Sequence, residues 1–319
     1  MLSYYLYKLH FSGPVHIGPD HGQSPLESSM TTMHSDSFFS ALCVEAARYG
    51  GSEMVENLVD DARQSRMVLS DLLPCRGEEL FLPKPNLPFV QARVEADSEN
   101  RKEFKKMRFV PISMWTDYCK FCFEEKPFPL KKCKEAMQGF SYPDQRQRVA
   151  VEGSEDPEPY FLQATSFPPD SSLYCILGFD SGQTRSKWEQ LLNSLAWSGI
   201  GGKRSSGWGK FEVSSPDPLE NHQVLHAGLS AKDAPMWMTL NTSLPTDEEL
   251  RSIAQQSSYL LCRRGGFVDG EAYKKRTVYA FSAGSCVHTR FEGDVLDLAP
   301  KGRRAVYRML KPILLGVFK

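Results

Sequence analysis

The chain has 319 residues, 41% of them hydrophobic and 24% charged, with a formal net charge of -1. That length allows about two domains with a sizeable core, and the composition excludes a disordered or fibrous chain. Near-neutral charge excludes a general nucleic-acid coater but not a local basic groove. No apolar run of about 18 residues occurs. Residues 1–8 carry no basic n-region or cleavage site, so a cytoplasmic chain without a membrane partner is expected.

Residues 4–11 alternate, with Tyr5, Tyr7, Leu9 and Phe11 on one face, which predicts a central strand. Ser12-Gly-Pro14 ends it, Val15-His-Ile-Gly18 comes next, and the Gly-, Pro- and Ser-rich residues 19–27 read as a loop. Ser35, Asp36 and Ser37 offer oxygens to the free amides of a first helical turn and are expected N-caps. Phe38, Phe39, Leu42, Cys43 and Ala46 form that helix's buried stripe, Gly50 and Gly51 stop it, and a second helix is expected over 53–63. Residues 68–82 predict a hairpin, and Pro83, Pro85 and Pro88 prevent regular structure directly after it.

The run 101–108 carries five positive charges and one negative. It is either a solvated helix face or an RNA-facing arm. Residues 124–169 are poor in apolar periodicity, basic at 145–148 and acidic at 152–158, and predict an inserted hairpin that docks on a partner. Residues 173–179 are an apolar run expected as a buried strand, and Trp188, Leu191, Leu192 and Leu195 define a helix over 185–198.

The stretch 199–210, Gly-Ile-Gly-Gly-Lys-Arg-Ser-Ser-Gly-Trp-Gly-Lys, lies between that helix and a strand at 211–213. A P-loop requires Ser or Thr after its Gly-Lys, where Arg204 stands, and a dinucleotide fingerprint requires Gly at that same position. Both also require strand before loop and helix after it, the reverse of this order. A helix C-cap explains Gly199 alone. Further glycines mixed with Lys203, Arg204 and Lys210 predict a ligand loop, with backbone amides and full positive charge suited to phosphates. The eight cysteines are scattered, and Cys119-x-x-Cys122 with Cys133 lacks the second pair a structural zinc needs, so reduced thiols and no metal or other cofactor are expected.

After residue 218 the pattern restarts, with strands expected at 237–240 and 258–262 and a helix at 247–254. A second glycine–basic turn, Arg263-Arg-Gly-Gly-Phe267, precedes strands at 274–280 and 285–291 and an apolar end at 313–318. The first part reads strand, helix, hairpin, strand, helix, strand. The predicted class is α+β: a ferredoxin-like (RRM-like) domain at 1–218 with an insertion at about 81–170, then a degenerate second one at 219–319.

Phe11-Ser-Gly-Pro-Val-His-Ile-Gly18, Met33-His-Ser-Asp-Ser-Phe-Phe-Ser-Ala-Leu42 and Gly201-Gly-Lys-Arg-Ser-Ser-Gly-Trp-Gly209 together resemble the RAMP superfamily of CRISPR proteins. With the basic run ending in Phe109-Val-Pro-Ile112, with Arg263-Arg-Gly-Gly-Phe267 and with Ala283-Gly-Ser285, the ordered set resembles the fourth subunit of the type III-A Csm complex. At the C-terminal end Ala305 and Met309 depart from the family's Pro and Gly. The resemblance implies a non-catalytic, tandem ferredoxin-like subunit that caps the 5′ handle of the CRISPR guide RNA (crRNA). It would bind the large polymerase/cyclase-like subunit on one side and a backbone RNase subunit on the other. A projecting thumb is implied, in 81–109 or in the excursion to 169.

On that reading, the RNA-facing residues are His16, Gly18, His34, Ser35, Asp36, Gly199, Gly201, Gly202, Lys203, Arg204, Ser205, Ser206, Gly207 and Trp208, with Arg263, Arg264, Gly265, Gly266 and Phe267 from the second turn. The loop would contact phosphates and Trp208 would stack a base. Ser35 and Asp36 are either handle contacts or simply helix caps. The alternative is a metal-independent RAMP endoribonuclease using His10, His16 or His34 in acid–base roles. No acid–base pair stands out in its favour.

Overall fold

The computed structural model describes residues 2–20, 26–87, 101–124, 126–150 and 158–318. Parts of the expected 19–27 loop, Pro88, residues 88–100 of the 81–109 thumb candidate and most of the acidic run 152–158 lie outside the described residues.

The first part comprises β1 (Ser3–Phe11), α1 (Ser35–Arg63), β2 (Met67–Leu69), β3 (Leu73–Arg76) and β4 (Glu79–Pro83). Next come α2 (Arg101–Lys106), β5 (Phe109–Pro111), α3 (Trp115–Glu124), α4 (Leu130–Met137), β6 (Tyr142–Ala150) and β7 (Glu158–Ser166). β8 (Ser171–Phe179), α5 (Gly182–Ser198), β9 (Phe211–Val213) and β10 (Asp217–Pro218) complete it. The main sheet is antiparallel, in the order β10-β1-β8-β3-β4-β5, with β2 also on β8 and β9 on β1. Its centre is β8, buried along its whole length, as an uninterrupted apolar run requires when both sheet faces are covered.

α1 and α5 pack together, with the Phe39 and Trp188 ring centroids 6.1 Å apart. The Gly50–Gly51 break is present as a kink: Gly51 has φ 68 and neither residue is helical. The expected 68–82 hairpin is instead β3 and β4 turning at Gly77, while β2 pairs separately with β8. The cap expectation at Ser35–Ser37 is corrected. The N-cap is His34, and the amide of Ser35 donates to Asp71 Oδ1 at 2.7 Å.

The second part holds α6 (Gln223–Ser230), β11 (Met236–Thr239), α7 (Asp247–Ile253), β12 (Leu261–Arg264), β13 (Val278–Phe281), β14 (Cys286–Val287), β15 (Val295–Asp297), β16 (Tyr307–Met309) and β17 (Leu314–Val317). Its strands form a three-stranded sheet, β14-β11-β17, and two ribbons, β12-β13 and β15-β16. The second, third and fourth expected strands are shorter than the sequence suggests, and α6 carries no signal that the sequence reading used. α7 begins with a capping box between Thr246 and Glu249.

The main core crosses residue 218, drawing Met236, Met238, Leu240, Met309 and Leu315 into one cluster with β1 and β8. Asn241, fully buried, ties the parts together: its Nδ2 donates to the carbonyls of Leu69 and Lys311, and its Oδ1 accepts from the amide of Ile313. Among the described residues, no helix is long and apolar enough to cross a membrane.

Candidate nucleic-acid interface

The glycine loop is built against the end of β1. The amide of Gly202 donates to the carbonyl of His16 at 2.8 Å, that of Ile200 to Gly209 at 3.0 Å, and that of Gly209 to Pro14 at 2.9 Å. Gly201, at φ 81, passes so close to His16 that a Cβ would collide with the His16 carbonyl. Glycine here serves backbone contact as well as turning. The amides of Gly199, Ile200, Gly202, Ser206, Gly207 and Gly209 all meet backbone carbonyls. Those six amides are thus taken up in building the loop, and the basic side chains of Lys203, Arg204 and Lys210 stand beside them. Lys203 adopts a left-handed φ of 59, ahead of a short 3-10 turn, Arg204–Ser206. Lys210, Ser205 and Ser206 are exposed.

Beside this loop lies a cleft of about 540 Å³. His16 and Gly18 line it from the end of β1, Ser37 and Ser40 from α1, Gly201, Gly202 and Arg204 from the loop, and Phe267, Asp269 and Lys275 from the turn between β12 and β13. The structure thus brings three of the sequence-predicted segments to one opening. His16 is held by a 2.7 Å hydrogen bond between Nδ1 and the Gln163 carbonyl. Burial pushes Lys275 down to about 8, with Arg264 adding to the effect and Asp269 opposing it. Phe267 is 60% exposed with the Lys274 ammonium over its ring. Gly266, at φ 104, is exposed beside it.

Trp208 is a correction. It is only 3% exposed, packed on Leu162 and Ala164 of the β6-β7 hairpin, so it has no face for a base. It anchors that hairpin to the loop. Arg146 and Arg148 lie over its ring at 5.3 and 6.0 Å, and Lys203 over Tyr160 of the same hairpin at 5.5 Å. The basic residues of 145–148 thus join those of the loop.

His34, Ser35, Asp36 and Arg264 belong to a buried ionic cluster between the two parts, not to the cleft surface. Asp36 is 0% exposed. Arg264 Nε reaches its two oxygens at 3.2 and 3.1 Å, Nη2 bonds Oδ1 at 3.0 Å, and Arg308 Nη1 meets Oδ2. Arg264 Nη1 also meets Asp20. His34 Nε2 lies 2.8 Å from Asp20 Oδ2, and Nδ1 lies 3.3 Å from Asp71 Oδ2 and 2.6 Å from Thr242 Oγ1. Burial alone would lower the His34 pKa, but hydrogen bonds to Asp20 and Asp71 outweigh it and raise it. Burial would raise Asp71, yet His34 and the Ser35 and Thr242 amides hold it below the ordinary value. Arg308 is pushed down to about 10 by burial. Gly265 is half-buried, its carbonyl accepting from Arg308 Nη2 at 2.9 Å. Arg263 alone of the pair Arg263-Arg264 is exposed, opposite Tyr279.

Asp269 and Lys275 carry no strong signal in the sequence, because no local motif surrounds them. The switch after Gly266 from acidic Asp269 and Glu271 to basic Lys274, Lys275 and Arg276 was the one available signal. The eight cysteines are unpaired. Burial raises Cys119 to about 12 and Cys133 to about 11, so neither is a ready thiolate.

A two-part chain with an inserted hairpin and a basic cleft at its junction has close counterparts. Residues 8–212 match the family model of the RAMP superfamily, and residues 232–317 that of the CRISPR Csm4 C-terminal domain. The CRISPR system Cms protein Csm4 of Mycobacterium tuberculosis (strain CDC 1551 / Oshkosh) is 32% identical over 308 residues, covering 95% of this chain and 94% of that one. The Csm4 of Streptococcus thermophilus is 29% identical over 309 residues, covering 92% and 93%. The chain therefore belongs to the RAMP superfamily and, within it, to the Csm4 family. In fold it is similar to a chain in the crystal structure of the Csm3-Csm4 subcomplex in the type III-A CRISPR-Cas interference complex, at TM-score 0.68 and 20% identity over 99% of both. It is also similar to one in the Csm1-Csm4 cassette in complex with AMPPNP, at TM-score 0.61 and 19% identity over 99% and 98%.

Proposed function

We propose that this chain is a non-catalytic RNA-binding subunit of a type III-A CRISPR effector complex in the cytoplasm. It caps the 5′ handle of the crRNA and links the large polymerase/cyclase-like subunit, Csm1, to the backbone RNase subunit, Csm3. The carrying observation is the cleft, where the glycine loop, the end of β1, α1 and the β12-β13 turn converge with Arg204 and Lys275 in its wall. Single-stranded RNA needs backbone cations beside an exposed ring, and Phe267, not Trp208, supplies that ring. Relatives of this fold have been crystallised with Csm3 and with Csm1, which supports the same two partners here.

The strand order supports the expected tandem architecture. With β9 and β10 as one fourth strand and β2 and β3 as one second strand, the first part has the 4-1-3-2 order of a ferredoxin-like unit. In the second part β17, β11 and β14 repeat 4-1-3, and the isolated bridge of Ser258 to Cys286 stands where the second strand would pair. We assign the thumb to the β6-β7 hairpin, because it docks on the glycine loop through Trp208 and sets Arg146 and Arg148 beside Lys203. A binding role also suits the candidate acid–base groups, which are engaged elsewhere. Asp36 is engaged by two arginines, and His16 Nδ1 by the Gln163 carbonyl.

The test is RNA retention by the assembled complex carrying Lys203→Ala/Arg204→Ala, measured against salt. Loss of two phosphate contacts should weaken binding and flatten the log–log salt slope by about 1.4, since each contact on a single strand releases about 0.7 of a counterion. Unchanged retention and slope would sink the assignment.

A further inference from the structure

Among the described residues lining the cleft, the single acidic side chain is Asp269. It faces cations from three separate elements. Its carboxylate meets Arg204 Nη2 of the glycine loop at 2.7 Å and Arg48 Nη2 of α1 at 4.0 Å. The third cation is Lys275, across the same turn, whose charge it supports against burial and Arg264. A carboxylate presents oxygens to a guanidinium much as a phosphate does, so each can take the other's place.

Asp269 stands at the tip of its turn, which is closed by the amide of Glu271 donating to the Val268 carbonyl at 3.1 Å, so its side chain is what can turn away from Arg204. Gly266 and Gly270 flank it at φ 104 and 73, and the space where a Cβ would stand is empty at both. The base of the turn is fixed: the amide of Lys275 donates to Gly266 at 3.0 Å and that of Val268 to Tyr273 at 3.1 Å. The Asp269 side chain remains 46% exposed while Arg204 is 21% exposed, so solvent or a ligand reaches the pair directly. Neither partner is locked in the buried ionic cluster.

We propose that Arg48, Arg204 and Lys275 form a phosphate subsite for an RNA backbone, and that Asp269 occupies this subsite while no RNA is bound. The proposal rests on the reading of the cleft as an RNA interface and adds to it a competitor within the chain. A bound phosphate displaces the carboxylate from Arg204 without any covalent change. The acid lowers the affinity for RNA that fails to reach all three cations, because such a strand must displace Asp269 without full compensation.

The experiment is fluorescence anisotropy of the full chain with a 5′-fluorescein single-stranded RNA of about eight nucleotides, within the site sizes of such grooves. Wild type is compared with Asp269→Asn, Lys203→Ala/Arg204→Ala, Arg204→Ala and Asp269→Asn/Arg204→Ala. Asp269→Asn should tighten binding about threefold, the scale of one exposed ion pair, and the gain should fall to about half or less in the Arg204→Ala background. If Asp269→Asn binds no tighter while Lys203→Ala/Arg204→Ala binds more weakly, the subsite exchange is wrong and the RNA reading stands. A gain that persists in full without Arg204 reduces Asp269 to net charge and also overturns it. If Lys203→Ala/Arg204→Ala binds like wild type, the RNA reading fails and the exchange falls with it.

Discussion

Asp36→Ala should be among the most destabilising single changes in this chain. Arg264 and Arg308 are 6% and 3% exposed, and both direct guanidinium nitrogens at the Asp36 carboxylate, which is itself fully buried. After truncation Arg264 keeps Asp20 and the Ser37 hydroxyl, 2.8 Å from its Nη2, whereas Arg308 keeps the Gly265 carbonyl. Removing one partner of a buried charge network costs about 3–5 kcal/mol, because the other charges stay desolvated. Against a folding stability of about 5–15 kcal/mol, that is a large share. Urea unfolding at constant slope would measure it as a shift in midpoint. Asp36→Leu/Arg264→Met/Arg308→Met should recover most of the loss, since apolar side chains of similar volume leave only Asp20, which is partly exposed and keeps His34 at 2.8 Å. A cost below about 1 kcal/mol for Asp36→Ala, or a triple variant worse than the single, would refute this account of the cluster.

The two glycine positions at almost equal φ separate conformational strain from collision. Gly207→Ala, at φ 80 with open space around it, should cost about 1 kcal/mol, whereas Gly201→Ala, at φ 81 against the His16 carbonyl, should cost about 2–4 kcal/mol in thermal unfolding; equal costs would contradict the close approach. The His34 cluster predicts a pH dependence of known sign. Because His34 is raised in the fold, its contribution is complete below its ordinary value of 6.5 and is lost as pH rises through the higher folded value. Urea midpoints should therefore fall above about pH 6.5 in wild type, and this portion of the fall should be absent from His34→Gln. Asp71 behaves oppositely: its contribution is present above its ordinary 3.8 and lost as pH falls through its lower folded value.

Local pattern carried much of the fold into view. Trp188, Leu191, Leu192 and Leu195 all lie on the buried face of α5, and Gly50–Gly51 breaks α1 where the glycine pair stands in the sequence. The helix–loop–strand order around residues 199–213 was equally legible, because spacing and glycine content act over a few residues. The features that stayed hidden depend on partners far along the chain. Ser35 and Asp36 look like caps in any sequence window, yet Asp71 accepts the first-turn amide and Arg264, 228 positions away, takes the acid. Trp208 sits amid basic residues as a stacking platform would, but Leu162 and Ala164 cover it. Of the candidate site, the loop and the turn at 263–267 were foreseen. Their convergence on one cleft was not, since it depends on how the β12-β13 turn reaches α1.

The pairing of β1 sets the order in which the chain can acquire structure. Its neighbours are β8 on one side and β9 and β10 on the other, so no strand of the main sheet can join it until residues 171–179 exist. At a synthesis rate of about 5–20 residues per second, the interval between Phe11 and Ser171 lasts about 8–32 s. During that time Leu6, Tyr7 and Leu9, all buried at the end, belong to an unpaired strand. Helical and hairpin segments in between close far sooner, on microsecond scales. An interior strand of the sheet is thus translated first and docked late, and the nascent protein must keep its apolar face from other chains in the meantime.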